Sequence, residues 1–350
     1  MRPVRVCLLG EAHPKKHRGW TAPVNDSREW LRVLGSGDVL SHRDVAQCPE
    51  LVRSYDVVIV ELTPATQQLP ALLKRVAPGV ACVGLIEGRV EYVVRSHAEM
   101  ESLFAFARSA DDPDVLGVLV ERTLPYYRLY AASPERVHWL GVPYPVDWTN
   151  AVIARGLPDR PLVIELGSAM DSRNGIANVL VLRELQRCYP MVRGRIYVFE
   201  EREAEMVRAL GVDADFRRPM SWARYYHDHL DAFAVLCLDD RRTWGRYVLD
   251  CASARMPFVG SNLSHCGERV GVMTADPFDT ERALAWLSAL VEERLRGRDE
   301  LYRDTVRRQS AKLGLYGADA ARSRFAAALA ATGFGTLAER VEQLPAAVSA

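Results

Sequence analysis

The densest group of residues that could do chemistry lies in the segment 239–271. An apolar run ends at Leu238, a loop with Gly245 follows, and a helical pattern begins near Tyr247 with Asp250 about one turn inside. Free N–H groups and the positive dipole end at a helix N-terminus bind phosphate oxygens. A carboxylate just inside the helix can accept hydrogen bonds from ribose hydroxyls. The segment therefore predicts a nucleotide-binding site.

Alternating apolar runs and helical patterns supply the elements that must position this loop. Apolar runs fall at 4–10, 56–62, 80–86, 115–121, 137–143, 161–167, 194–200, 232–238 and 257–261. Continuous runs without strict polar alternation indicate strands covered on both faces of a parallel sheet. The β–α rhythm predicts an α/β protein with two doubly wound, Rossmann-like domains, in which ligands bind at the carboxyl ends of the strands.

The length of the chain and its proline pattern predict where the domains divide. At 350 residues the chain suits about two domains, and Pro158 and Pro161 mark a looser stretch. We predict an N-terminal domain over 1–150, a second domain over 151–315, and C-terminal helices over 316–350 that pack back on the first domain. Two similar α/β halves place the expected site in the cleft between them.

Composition excludes several classes of protein. Lys+Arg and Asp+Glu both number 45, so no basic excess indicates nucleic acid as a partner. The seven cysteines are scattered, form no CxxC pair and include Cys7 and Cys237 inside apolar runs, which is typical of a reduced, cytoplasmic chain. No stretch approaches 18 continuous apolar residues, so we expect no transmembrane segment.

The pattern TWG…LD…SARMPFVGS resembles the C-terminal signature of GT-B-fold glycosyltransferases, especially glycosyltransferase family 4. Asp250 stands where the family has a ribose-binding Glu, and 257–261 matches the strand after the helix. The resemblance implies a hexosyltransferase that uses a nucleoside-diphosphate sugar, retains the anomeric configuration and needs neither metal nor cofactor. The first Glu of the family signature faces the donor sugar, and its position falls at Arg242 or Thr243 in this chain. This departure implies altered donor selection or loss of donor use.

A second resemblance lies at the start of the predicted second domain, in VIELGSAMDSRNG. Gly167 matches the Gly of the family's strand–Gly-Arg–x–Lys-Gly–helix segment, Ser168 replaces its Arg, and Arg173 takes the Lys position. Two cations neutralise the leaving diphosphate in the family, and one of the two is missing here. An arginine at 173 can supply bidentate contacts.

The resemblance implies a set of site residues around the donor and the acceptor. Arg173 and Arg246 would neutralise the diphosphate, and Glu87, after the third strand, is the best-placed acid facing the cleft. The residues implied in donor binding are Gly167, Ser168, Thr243, Trp244, Gly245 and Asp250. The basic run 15–18 is interpreted as a solvated loop, or as a contact for a sugar, lipid-linked or small-molecule acceptor.

Other polar residues near the signature are interpreted as structural. The pair Asp239-Asp240 resembles a metal-binding motif, but the implied site holds its diphosphate on protein cations, so no metal is expected. His227 and His229 are expected at the surface of a short helix, and His265 is expected either to pack within the structure or to line the cleft. Two further interpretations stay open. One is a non-catalytic relative that binds nucleotide or glycan or partners an active transferase, and the other is a sugar-nucleotide epimerase on the same fold.

Overall fold

The computed structural model of the chain describes residues 3–10, 16–86, 109–167 and 174–345. The chain divides into two compact units, one formed by Met1–Asp147 with Leu315–Ala350 and one formed by Trp148–Gly314. Each unit carries its own largely parallel sheet, flanked by helices. The prediction of an α/β protein with two doubly wound domains is confirmed.

The first unit is built on a seven-stranded sheet. In spatial order its strands are β2 (His17–Trp20), β3 (Gly37–Ser41), β1 (Val6–Gly10), β4 (Val57–Glu61), β5 (Ala81–Ile86), β6 (Val115–Val118) and β7 (Val137–Trp139). Only β2 is antiparallel to its neighbour. Because the chain passes from β1 to β3 on one side and then to β4 on the other, the strand order reverses between β1 and β4. Such a reversal leaves a crevice at the carboxyl ends of these strands.

The second unit is built on a six-stranded, fully parallel sheet. In spatial order its strands are β10 (Ala214–Arg217), β9 (Arg193–Tyr197), β8 (Val163–Leu166), β11 (Ala234–Cys237), β12 (Phe258–Ser261) and β13 (Met273–Ala275). Numbered from the first strand of the unit, this order is 3-2-1-4-5-6, the order of the Rossmann fold. Its reversal point lies between β8 and β11.

The helices connect these strands and end the chain. In chain order they are α1 (Glu29–Val33), α2 (His42–Gln47), α3 (Leu69–Val76), α4 (Leu124–Arg128), α5 (Val146–Ala154), α6 (Gly175–Cys188), α7 (Glu201–Ala209), α8 (Trp222–His229), α9 (Arg246–Ser253), α10 (His265–Arg269), α11 (Thr280–Leu295), α12 (Glu300–Ser310), α13 (Ala318–Ala331) and α14 (Gly335–Glu342). The longest of these described helices, α11, has 16 residues. Within the described part of the chain, no helix has the length and apolar character needed to cross a membrane.

The last two helices pack within the first unit. The ring of Phe325 on α13 lies 5.0 Å from the ring of Trp30 on α1, and both side chains are buried. Arg340 on α14 forms an ion pair with Asp56 at 3.2 Å, just before β4. Aromatic burial and a half-buried ion pair thus attach the C-terminal helices to the sheet that the N-terminal residues build.

Four short strands were not predicted from the sequence. Residues 17 and 18 of the basic run, which was interpreted as a solvated loop, belong to β2, whose Gly19 amide donates to Asp38 on β3 at 2.8 Å. Strands β3, β10 and β13 were also missed. Each has three to five residues and carries polar side chains, so it lacks the continuous apolar run by which the other strands were recognised.

A buried hydrogen bond between a carboxyl group and a guanidinium lies on helix α1 of the first unit. The Glu29 side chain is fully buried, and its Oε1 accepts a hydrogen bond from Arg32 Nε at 2.6 Å. Burial disfavours the carboxylate more than Arg32 stabilises it, and the pKa of Glu29 rises to about 8. The folded protein therefore holds this proton across a pH range in which the unfolded chain releases it.

Replacement of Glu29 by glutamine should flatten the pH dependence of stability. A carboxyl whose pKa is raised on folding contributes stability that is complete below the unfolded value near 4.5 and is lost as pH rises towards 8. Glutamine keeps the shape and an acceptor oxygen for Arg32 but does not titrate. Urea unfolding of both proteins at pH 5 and pH 8 measures the difference. An identical pH response in the two proteins would contradict the assignment, since every other group is common to both.

Candidate functional site

Gly167 lies at the reversal point of the second sheet, directly after β8. Its amide donates to the carbonyl of Leu236 on β11 at 3.0 Å. A Cβ atom at this position would lie 2.7 Å from Cys237 Cβ. Only glycine lets the two strand ends approach this closely. Gly167 thus lies at the carboxyl edge of the sheet, where ligands bind in open α/β folds.

The loop after β11 is organised by the side chain of Asp239, which is 7% exposed. Asp239 Oδ1 accepts from the amide of Arg241 at 3.0 Å, and Oδ2 accepts from Thr243 Oγ1 at 3.3 Å. Both carboxylate oxygens therefore hold the loop in shape. Among the described residues, no group of three or more His, Cys, Asp or Glu side chains is placed to hold a metal ion.

Trp244 attaches the loop to helix α10. Its indole is fully buried and stacks on His265, with ring centroids 4.9 Å apart and planes 7° apart. The carbonyls of Thr243 and Trp244 accept from the amides of His265 and Cys266 at 2.9 and 3.0 Å. His265 packs as expected. Because the indole of Trp244 lies inside, this residue can meet a ligand only through its backbone.

Gly245 sets the direction in which helix α9 begins. Its φ of +81° is left-handed, and a Cβ atom there would lie 2.7 Å from Ser264 Cβ. Ser264 is itself the N-cap of α10, where its Oγ accepts from the Gly267 amide at 3.0 Å. The close approach of Gly245 to a second helix start therefore needs both the freedom and the small size of glycine.

Alanine at Gly245 should destabilise the protein more than alanine at a matched glycine. Gly297 also has a positive φ, at +69°, but a Cβ atom there meets nothing within 4 Å. Both substitutions carry the cost of left-handed backbone, and only Gly245→Ala adds overpacking of about 1–3 kcal/mol. Urea unfolding of the two variants measures that difference. Equal destabilisation would show that Ser264 does not restrict the loop.

Helix α9 directs its N-terminus at the same edge of the sheet. Arg246 is its first residue and is exposed, while Arg241 and Arg242 in the loop before it are half-buried. Amide N–H groups at a helix start and nearby guanidinium groups both favour a bound anion. The structure thus brings Gly167, Thr243, Gly245 and Arg246 to one end of the second sheet.

Asp250 is the fifth residue of α9 and is 2% exposed. Its Oδ1 accepts a hydrogen bond from the indole Nε1 of Trp222 at 3.0 Å. The Trp222 ring packs against Trp148 and Tyr226, with centroids 5.1 and 5.5 Å away. The carboxylate predicted to bind ribose is therefore oriented by an aromatic group that sequence reasoning did not find.

A buried charged cluster lies beneath the loop and was also missed. Glu165 on β8 is fully buried, and its Oε1 accepts from Tyr225 OH at 2.7 Å and lies 2.9 Å from Nδ1 of the buried His229. Arg195 on β9 approaches Glu165 Oε2 at 3.7 Å. Tyr225 makes an edge contact with Tyr247 of helix α9. The cluster thus supports the first turn of the helix that begins at the site.

His229 corrects the expectation that both histidines of α8 lie at the surface. His227 is exposed, but His229 has no exposed area and faces Glu165. The physical reason is the helical period, which turns residues two apart to different faces. A signal was present in the sequence, because Glu165 is a single charge inside a β-like apolar run, where a charge needs a partner.

Three predicted site residues, namely Glu87, Ser168 and Arg173, lie outside the described residues. In the first unit the structure instead shows Glu61 at the carboxyl end of β4, beside the strand-order reversal. Its Oε1 accepts a hydrogen bond from Ser27 Oγ, and its carbonyl accepts from Thr66 Oγ1. A polar group therefore lies at the ligand-binding edge of this sheet as well.

Comparison with solved structures shows which proteins share this fold. HepE from Anabaena, solved with UDP and glucose, superposes with a TM-score of 0.67 at 10% identity, over 93% of this chain and 99% of HepE. An α,α-trehalose 6-phosphate synthase from Burkholderia multivorans superposes with a TM-score of 0.64 at 12% identity, over 84% of this chain and 75% of that one. The chain therefore has the architecture of these GT-B proteins.

A third similar structure is larger than this chain. TarM from S. aureus, as a G117R mutant with fondaparinux, α-GlcNAc-glycerol and UDP, gives a TM-score of 0.61 at 10% identity. The match covers 79% of this chain but only 55% of TarM, so the chain spans about half the length of that protein. No protein-family model matches the chain, and no curated protein matches its sequence. At these identities the likeness establishes the fold alone.

Proposed function

We propose that this chain is a glycosyltransferase that moves a sugar from a nucleoside-diphosphate sugar to an acceptor hydroxyl. The observation that carries the proposal is Asp250, a buried carboxylate inside a helix whose N-terminus opens at the reversal point of a Rossmann-order sheet. Similar folds that were solved with UDP support UDP as the first nucleotide to test.

The donor would bind through its nucleotide end. Asp250 would accept hydrogen bonds from the ribose hydroxyls, while the amides after Gly245 and the guanidinium of Arg246 would hold the diphosphate. The backbone of Thr243 and Trp244 would frame the sugar. Arg173, which lies outside the described residues, would supply the second cation.

The chemical step would depend on the leaving group. Negative charge builds on the diphosphate as the glycosidic bond breaks, and fixed cations and helix N–H groups would stabilise that charge. Transfer in this proposal needs neither a metal nor a cofactor, and it retains the anomeric configuration. The acceptor would bind at the carboxyl edge of the first sheet, near Ser27 and Glu61, with Glu87 as an additional acid.

Calorimetric titration of the full chain with UDP and a panel of nucleotide sugars tests the proposal. We expect one UDP or UDP-sugar to bind in the presence of EDTA, and UDP to be released when a suitable acceptor is added. If no nucleoside diphosphate binds, the proposal fails. Chromatographic separation of the products, including isomers, distinguishes transfer from epimerisation.

A non-catalytic role is the second candidate, and a specific contact favours it. Trp222 already donates to Oδ1 of Asp250, which reduces the acceptor capacity of this carboxylate for ribose hydroxyls. The position of the missing first Glu is also occupied by a cation, Arg242, or by Thr243. Tight UDP-sugar binding without release of UDP for any acceptor would support this role, whereas measured transfer would exclude it.

A further inference from the structure

A cavity of about 210 Å³ lies at the amino edge of the sheet in the second unit. Its walls include the segment 157–160, which leads towards β8, and Phe233, which directly precedes β11. These are the starts of the two strands whose carboxyl ends carry the candidate donor site. The cavity is therefore separate from that site, at the opposite edge of the same sheet.

We call this space the amino-edge cavity. Two aromatic residues lie at its floor. Phe233 is 1% exposed, and its ring lies 5.3 Å from the ring of the half-buried Tyr302, at an angle of 37°. Tyr302 OH accepts a hydrogen bond from Arg160 Nη1 at 2.6 Å, so the orientation of the ring is fixed. Because the Phe233 ring has almost no exposed area, Tyr302 is the aromatic residue of the lining that a sugar ring can pack against.

Arg160 holds the cavity in shape. The side chain is 8% exposed, and its Nε donates to the carbonyl of Leu230 at 2.9 Å. Its two terminal nitrogens donate to the carbonyls of Arg255 and Ala254 at 2.6 and 2.5 Å. Because these contacts occupy the guanidinium, Arg160 contributes structure and long-range charge but not a direct ligand contact.

The rim of the cavity carries the cations that can reach a ligand. Arg294 is exposed, donates to the carbonyl of Arg160 at 3.0 Å through Nη2, and lies over the Phe233 ring at 5.8 Å from its centroid. Arg303 is paired with Asp299 at 2.7 Å. Within the described part of the chain, the exposed Arg298 side chain makes no hydrogen bond or ion pair. The lining contains four arginines and two aspartates, which leaves a net charge of two positive units.

We propose that the amino-edge cavity binds a small phosphorylated sugar. A phosphate monoester carries about 1.5 to 2 negative charges at neutral pH, which matches the net charge of the lining. The phosphate would lie on Arg298 and Arg294, and the sugar ring on the half-buried Tyr302. The volume is below the roughly 300–1,000 Å³ of sites for drug-sized ligands, so it suits a single monosaccharide.

Calorimetry on the full chain with three probes tests the proposed ligand. We expect glucose 6-phosphate to bind at least about tenfold more tightly than inorganic phosphate, because only the ester places a sugar ring against Tyr302. Glucose alone should show no binding, since it lacks the charge. Equal affinity for inorganic phosphate, or no binding of glucose 6-phosphate, would overturn the proposal.

Two charge-reversing variants locate the binding. Arg298→Glu should weaken glucose 6-phosphate binding by at least about tenfold, because it replaces a charged hydrogen-bond donor with an anion. Arg202→Glu is the matched control, since Arg202 is equally exposed on α7, has no side-chain partner among the described residues and does not line the cavity. Neither change removes a contact within the described structure, so both variants should melt like the parent protein.

The same variants also separate the test of the amino-edge cavity from the test of the proposed donor site. UDP binding at the opposite edge should be the same in Arg298→Glu and in the parent chain. If both variants bind glucose 6-phosphate equally, the ligand lies elsewhere and the proposal is wrong. If the parent chain binds no UDP but Arg298→Glu weakens glucose 6-phosphate binding, the proposed function fails and the amino-edge cavity is still supported as a binding site.

Discussion

Alanine in place of Glu165 is expected to lower the free energy of unfolding by about 3–5 kcal/mol, the usual cost of removing one partner from a buried ionic cluster. Glu165 is fully buried and accepts the Tyr225 hydroxyl. Its loss would leave His229 without its carboxylate, and among the described residues Arg195 would keep only Asp231, 2.6 Å away, as an anionic partner. Urea unfolding followed by circular dichroism at pH 7 measures the change.

Two further variants serve as comparisons for the stability of Glu165→Ala. Glu201→Ala, at a side chain that is 59% exposed, is the matched control and should change stability by less than about 0.5 kcal/mol. Glu165→Gln keeps an acceptor for Tyr225 but removes the charge beside Arg195, so it should fall between the parent and the alanine variant. A loss below about 1 kcal/mol for Glu165→Ala would show that the cluster does not stabilise the second unit.

Alanine in place of Asp250 is expected to weaken UDP binding about a hundredfold. Two hydrogen bonds from ribose hydroxyls to a carboxylate, at about 1.5 kcal/mol or more each, account for a loss of this size. The residue lies on the helix whose N-terminus would hold the diphosphate, so the nucleotide would lose one of its two anchors. Calorimetric titration of both proteins with UDP measures the effect.

Trp222→Phe is the control for Asp250→Ala. Both changes break the hydrogen bond between the Trp222 indole and Asp250, but only the second removes the carboxylate. Any loss that comes from this internal contact should therefore appear in both variants. We expect Trp222→Phe to weaken UDP binding by less than about tenfold. Equal losses in the two variants, or an Asp250→Ala protein that binds UDP like the parent, would contradict the proposed ribose contact.

The elements that sequence reasoning recognised are those with strong local patterns. The apolar runs at 56–62 and 232–238 became β4 and β11, because each is long enough to be covered on both faces. Strand β10, with the sequence ADFR, has no such run and was missed. Its place in the sheet depends on pairing with β9, and no local periodicity of the sequence indicates that pairing.

The residues of the candidate site also fall into two groups, those that a local sequence pattern indicated and those that depend on contacts between distant segments. Gly245 and Asp250 were found because a glycine turn, a helix start and an acid one turn later form a local pattern. Trp222 was not found, because it lies 28 residues from the carboxylate that it orients. His229 was misjudged for a similar reason, since its partner Glu165 is 64 residues away.

By itself, the sequence determined the α/β class, most of the strands and the position of the loop before helix α9. These depend on interactions between residues a few positions apart, which a single chain displays directly. Only the tertiary structure decided that Glu165, Arg195 and His229 share one buried cluster and that Trp222 holds Asp250. The physical reason is the strand order, which places β8 between β9 and β11 and so brings distant segments together at one edge of the sheet.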